Sequence, residues 1–136
     1  MSNHTVTGTP AQAVSTYALL IRWVVTLHLL VFVAQLATAI SFVAGVARAL
    51  SPHMHNAWAA VTLGLLQAGL LLSTPAARLR IPHRLMAIAV VVGEAWQIYF
   101  GTTLGLAVHV TTAMLLWAFS LVLAIKVWAP TWKLAA

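Results

Sequence analysis

The chain has 136 residues, 62% of them apolar and 6% charged, with 7 Lys and Arg set against a single acidic residue. This composition excludes an ordinary soluble domain, which must cover its surface with charge; most of the surface here must meet lipid. Cysteine is absent, which excludes disulfides, thiolate metal sites, iron–sulfur clusters and covalently attached c-type haem.

Residues 1–16 lack a cationic leader region and a small-residue cleavage site, so they read as a flexible polar tail rather than a signal peptide. Residues 17–136 form one domain with four apolar stretches: Val24 to Val46, Asn56 to Thr74, Leu85 to Thr102 and Leu104 to Val127. Each approaches the roughly 20 residues that a helix rising about 1.5 Å per residue needs to cross a bilayer. The expected helices cover about 17–49, 52–74, 83–101 and 104–128.

The punctuation agrees with these limits. Ser51 and Pro52 suit the cap and first residue of the second helix. Pro75 ends it, Pro82 opens the third, and Gly101 to Thr103 forms a tight hairpin. Arg22, Arg78, Arg80, Arg84, Lys126 and Lys133 fall on one side and only Arg48 on the other, so the positive-inside rule puts both termini in the cytoplasm. Trp23, Trp128 and Trp132 suit the inner interface, and Trp58, Trp96 and Tyr99 the outer one. The cations mark orientation in a bacterial plasma membrane and form no basic patch for nucleic acid.

Short connections make consecutive helices antiparallel, which predicts an all-α, integral membrane, up-down four-helix bundle. Small residues at Ala37, Ser41 and Gly45, and at Gly64, Ala68 and Gly69, would let backbones approach closely.

Function must come from the polar residues that a membrane helix carries only for a reason: His28, Gln35, Gln67, Glu94, Gln97 and His109, with His53, His55 and His83 near the edges. Glu94, the only acid, lies near the middle of its stretch and shares a helical face with Val90, Gln97 and Gly101; His28 and Gln35 share a face of the first helix. One reading makes Glu94 a proton carrier or the partner of a cofactor-ligating His, with Gln35 and Gln97 as buried polar neighbours. The other makes it a protonated acid hydrogen-bonded to Gln35 or Gln67, fixing helix register.

Imidazole is the usual haem ligand where thiolate is lacking. Two histidines lie at similar depth toward the outer side: one at the start of the second helix and His109 in the fourth, with Gly105, Thr112 and Ala113 leaving room beside it. His53 and His55 point about 200° apart and cannot grip one iron together. His55 is preferred, being deeper and followed on its face by Ala59, Thr62, Gly69 and Ser73; His53 has Ala57, Ala60 and Gly64 on its own face. His28 and His83 are candidates for a second haem toward the inner side. Copper or zinc at His53, His55 and His109 is a further option for the same imidazoles.

The segment LAVHVTTAMLLWAFSLVLA resembles the last helix of each four-helix half of the haem A synthase family, and HMHNAWAAVTLGLLQAGLLL looks like that family's second helix. The likeness extends to small four-helix b-type cytochrome-like membrane proteins and rests on the second and fourth helices. It implies one b-type haem near the outer face, with His55 or His53 and His109 as axial ligands. The chain has one such half, without the family's acidic position beside the outer His of the first helix.

A haem with two His ligands has no open coordination position, so the expected role is electron transfer between an outer-face donor and a quinone or partner subunit, not that of a stand-alone enzyme. The alternative is a cofactor-free accessory or assembly subunit of a respiratory or oxygenase complex, working with other membrane subunits or as a homo-oligomer. A transporter would need a polar path across the membrane and broken helices.

Overall fold

The computed structural model describes residues 15–75, 79–101, 103, 105–130 and 132. The expected N-terminal tail up to Val14 lies outside the described residues, as do Arg78, Thr102, Leu104 and Lys133. The described residues form four long helices: α1 (Thr16–Val43), α2 (Leu50–Ser73), α3 (Ile81–Phe100) and α4 (Leu106–Trp128). Each packs on its neighbours in chain order and α1 closes against α4, which makes a square bundle. α1 and α3 occupy opposite corners, as do α2 and α4.

Three helices, α1, α2 with its leading turn, and α4, are long and apolar enough to cross a membrane. α3 is less apolar because it carries His83, Arg84, Glu94 and Gln97 within 20 residues. Large apolar side chains such as Leu30, Val33, Leu65, Val92 and Leu115 are exposed on the outside of the bundle, which suits contact with a lipid bilayer.

The first helix stops at Val43, earlier than the sequence suggests. Gly45 adopts φ 92°, Val46 N–H donates to the Ser41 carbonyl at 3.0 Å, and Gly45 N–H donates to Phe42 at 2.9 Å. This paired closure through a left-handed residue ends a helix while satisfying its last carbonyls. A short turn of 3-10 helix, Ala47–Ala49, then leads into α2. The expected Ser51 cap is therefore displaced: α2 begins at Leu50, and Pro52 occupies its first turn, where a missing N–H costs nothing. The Pro75 and Pro82 boundaries hold, with α2 ending at Ser73 and proline in the first turn of α3.

The two ends of the bundle differ in chemistry. At the end carrying Arg22, Arg84 and Lys126, here the basic end, Ile21, Val25, Ala68, Leu71, Leu79, Ala87, Leu123, Val127 and Trp132 form an apolar core. Polar ties surround it. Arg22 Nε donates to the Val127 carbonyl at 2.9 Å, and its guanidinium lies 5.2 Å from the Trp128 ring. That places a cation on the last carbonyls of α4, where a helix end is negative. Tyr17 donates to the Leu70 carbonyl at 2.7 Å, and Arg84 donates to the Thr74 carbonyl. A smaller apolar cluster of Phe32, Val90 and Leu116 lies further along the bundle. The opposite end, here called distal, holds the histidines of α2 and α4.

Candidate functional site

The deepest polar group is a cluster drawn from three helices. His28 of α1 and Gln67 of α2 are fully buried, and Glu94 of α3 is 4% exposed. His28 Nδ1 lies 3.0 Å from Gln67 Oε1, and His28 Nε2 lies 2.5 Å from Glu94 Oε1. The second contact spans a diagonal of the square, reached by side chains from helices whose backbones stay apart.

Gly64 makes room for it. A Cβ at that position would collide with Glu94 Oε2 and come within 3.3 Å of His28 Cε1. Phe32, one turn from His28 on α1, packs on the imidazole with ring centroids 5.1 Å apart. Gln67 Nε2 and Glu94 Oε2 have no hydrogen-bond partner.

Proton bookkeeping follows from these contacts. An amide oxygen only accepts, so His28 Nδ1 carries a hydrogen toward Gln67. The short contact at Nε2 then holds one further proton, on the ring or on the carboxyl, and the pair is neutral as a unit. A neutral pair is also the form that burial favours, since an isolated carboxylate in hydrocarbon costs on the order of 3 kcal/mol on insertion scales.

The expectation that Glu94 pairs with Gln35 or Gln67 is thus corrected: its partner is His28, and Gln67 reaches the other side of the same ring. Glu94 also sits off-centre in α3, roughly 9 Å along the axis from Phe100 and roughly 20 Å from Ile81. His28 lies at the level of Glu94, roughly 16 Å along α3 from His83, and both its ring nitrogens are engaged within the protein. The structure does not bring His28 and His83 together. His83 lies in the first turn of α3, its Nδ1 buried without a hydrogen-bond partner.

The distal end holds a second cluster. His53 faces inward from α2; its Nδ1 lies 3.3 Å from the Gln35 carbonyl and 3.3 Å from Thr38 Oγ1. Because the carbonyl can only accept, Nδ1 carries the hydrogen and Nε2 keeps its lone pair, toward which Gln35 Nε2 points at 3.3 Å. His109 of α4 packs on α3: a Cβ added to Gly101 would come within 3.0 Å of its ring. Its Nδ1 is buried without a partner among the described residues, and Gln97 Nε2 donates to its carbonyl at 2.8 Å.

The preference for His55 over His53 does not agree with this geometry. His55 is exposed, as are Thr62, Gly69 and Ser73 on the face assigned to it, and its Nδ1 donates back to the Ser51 carbonyl at 2.8 Å. Ala60 and Gly64 on the His53 face are buried. The signal that decides between them was available: His53, Ala60 and Gln67 recur at heptad spacing, and a buried Gln67 turns that whole stripe inward. Of the small residues expected to line packing faces, Gly64 and Ala68 are buried and Ser41 half-buried, whereas Ala37, Gly45 and Gly69 are exposed. Gly105 caps α4 from an exposed position with open space around it, and Ala113 is half-buried.

Among the described residues, no three histidines or acids gather in a way that would hold a metal ion by themselves. At the distal end His53 is thus held in one tautomer, and His109 keeps an Nδ1 without a partner among the described residues. Comparison with known protein families, curated proteins and solved structures finds no match.

Proposed function

We propose that this chain is a membrane haem protein for one-electron transfer, crossing a bacterial plasma membrane four times with both termini on the cytoplasmic side. α3 crosses with its three apolar neighbours because Glu94 and Gln97, which lower its hydropathy, turn toward the bundle rather than toward lipid. Arg22, Arg84 and Lys126 share the basic end, which supports the cytoplasmic assignment.

The observation that carries the haem reading is the buried, unpartnered Nδ1 of His109, at the same end of the bundle as the inward-facing His53 on the opposite corner. Ligands from opposite corners address the interior and not the lipid. His53 has the arrangement common in metal-binding histidines, one ring nitrogen donating to a backbone carbonyl and the other unprotonated, although that lone pair now faces Gln35 Nε2, which a ligand would have to displace. Gln35 and Thr38 orient that ring, and Gly101 lets the His109 ring lie close to α3. Such a haem, when bound, supplies one-electron transfer, since two imidazoles leave iron no open position. A quinone or a partner membrane subunit would complete the electron path.

The test is an oxidised-minus-reduced visible spectrum of the detergent-purified chain, with a pyridine haemochrome count. A b-type signal near one haem per chain, lost in His109→Ala, is the expected result. No signal after expression with haem supplied overturns the reading. The internally partnered His28 cluster favours a second one in that case: a cofactor-free accessory subunit whose polar groups fix helix register, identified by the membrane protein that co-purifies.

A further inference from the structure

We infer that the proton shared by His28 and Glu94 exchanges with the aqueous phase at the distal end of the bundle, and that the basic end is closed to it. The cluster is then a one-sided proton-binding site in the membrane interior. This stands apart from the haem reading and needs no cofactor.

The groups facing the pair are few. α1 contributes His28 itself and Phe32, α2 contributes Gln67 and Gly64, and α3 contributes Glu94. The described part of α4 places no titratable side chain at this level; its interior-facing residues there are Leu116 and Ser120. Toward the basic end the interior is lined by the apolar side chains of Ile21, Val25, Ala68, Leu71, Ala87, Leu123 and Val127, with Ser120 and Thr74 the buried polar residues among the described ones before Arg22, Arg84 and Lys126 are reached. Leu71, Ala87, Leu123 and Val127 are fully buried in that stretch. A proton moving that way would meet Ser120 and then closed apolar layers.

Toward the distal end polar groups follow one another. Glu94 Oε2 is free, Gln97 lies one turn further on the same face of α3, and Gln97 touches α4 at the His109 carbonyl. The His109 ring lies against Gly101, with its Nδ1 free. On the other wall Gln35 Oε1 is buried and free beside His53. Unpartnered buried atoms are uncommon, because each costs the hydration it has lost. Such atoms occur toward both ends, at Ser120 and His83 as well as here. But Gln35, His53, Gln97 and His109 are only half-buried while Ile21, Leu71, Ala87, Leu123 and Val127 are sealed, which marks the distal side as the one along which water can reach the pair. The off-centre place of Glu94 makes that the shorter route as well.

In an exchange event the shared proton leaves for a water on the distal side while another proton from that side replaces it. The pair therefore returns to its neutral state with no net charge moved.

The test follows hydrogen–deuterium exchange at the pair by infrared spectroscopy, on the full chain in detergent micelles. The signal is assigned by its absence in Glu94→Gln. Should that variant not fold, 15N labelling of histidine assigns the same signal without a substitution. The wild-type proton should exchange faster than the slowest backbone amides, Gln97→Leu should slow it roughly tenfold, and Leu71→Ala, which loosens the apolar end, should leave it unchanged. Three outcomes overturn the inference: exchange only as fast as the core amides, no slowing in Gln97→Leu, or acceleration in Leu71→Ala.

Discussion

His28 and Glu94 meet across a diagonal of the bundle, Nε2 to Oε1 at 2.5 Å, while the backbones of α1 and α3 stay apart. The interaction joins two corners whose backbones do not meet, so it helps fix which pair of helices lies diagonally opposed. Buried polar contacts serve such specificity more readily than they add stability.

Removing one partner should therefore cost more than removing both. His28→Leu strands the carboxyl of Glu94, with an expected loss of about 3–5 kcal/mol. The double variant His28→Leu with Glu94→Leu should recover most of that. Unfolding in mixed micelles, followed by circular dichroism, measures both; a double variant as unstable as the sum of the singles would contradict the pairing.

Gly64 should tolerate no side chain while Glu94 is present. Gly64→Ala gains helix propensity, yet its Cβ meets Glu94 Oε2, and overpacking of this kind costs about 1–3 kcal/mol. In a Glu94→Ala background the same substitution should become neutral or stabilising. The comparison of the two backgrounds is the measurement, since it isolates the contact from propensity.

Gly45 offers a conformational test free of packing. No atom lies within 4 Å of a Cβ built there, so Gly45→Ala should lose only the cost of a positive φ, about 1–2 kcal/mol. Gly45→Asn should lose less. Thermal unfolding of the two variants would show equal losses if the left-handed closure of α1 were unimportant.

The three distal histidines should separate spectroscopically. His53→Ala and His109→Ala should abolish the b-type absorption bands, whereas His55→Ala should keep them, because His55 turns away from the interior. Bands lost in His55→Ala and kept in His53→Ala would require α2 to rotate by about half a turn.

Much of the fold can be read from the residues. Pro75, Pro82 and the apolar stretches mark the helices because they act locally, through a missing N–H or through length against a bilayer. The end of α1 was harder, since Gly45 lies among apolar residues and only its φ reveals the closure. The Ser51 cap failed for a related reason: the turn at Ala47–Ala49 feeds α2 one residue earlier. The site was legible as a set of residues but not as partnerships. Glu94 and Gln97 share a face, as helical periodicity states, yet nothing in the periodicity of α1 or α3 says that His28 will reach across a diagonal.

The chain order of the His28 cluster has a consequence for biogenesis. Gln67 follows His28 by 39 residues and Glu94 by 66. On the proposed four-crossing topology, and at about 5–20 residues synthesised per second, Glu94 reaches the membrane roughly 3–13 s after His28. During that interval the hairpin of α1 and α2 can satisfy Nδ1 through Gln67 but leaves Nε2 bare. The imidazole must therefore wait with one ring nitrogen unpartnered. Arrival of α3 ends the wait by delivering the one carboxyl in the chain, so the last contact to form at the centre of this bundle is also the one that decides whether its third helix has entered in register.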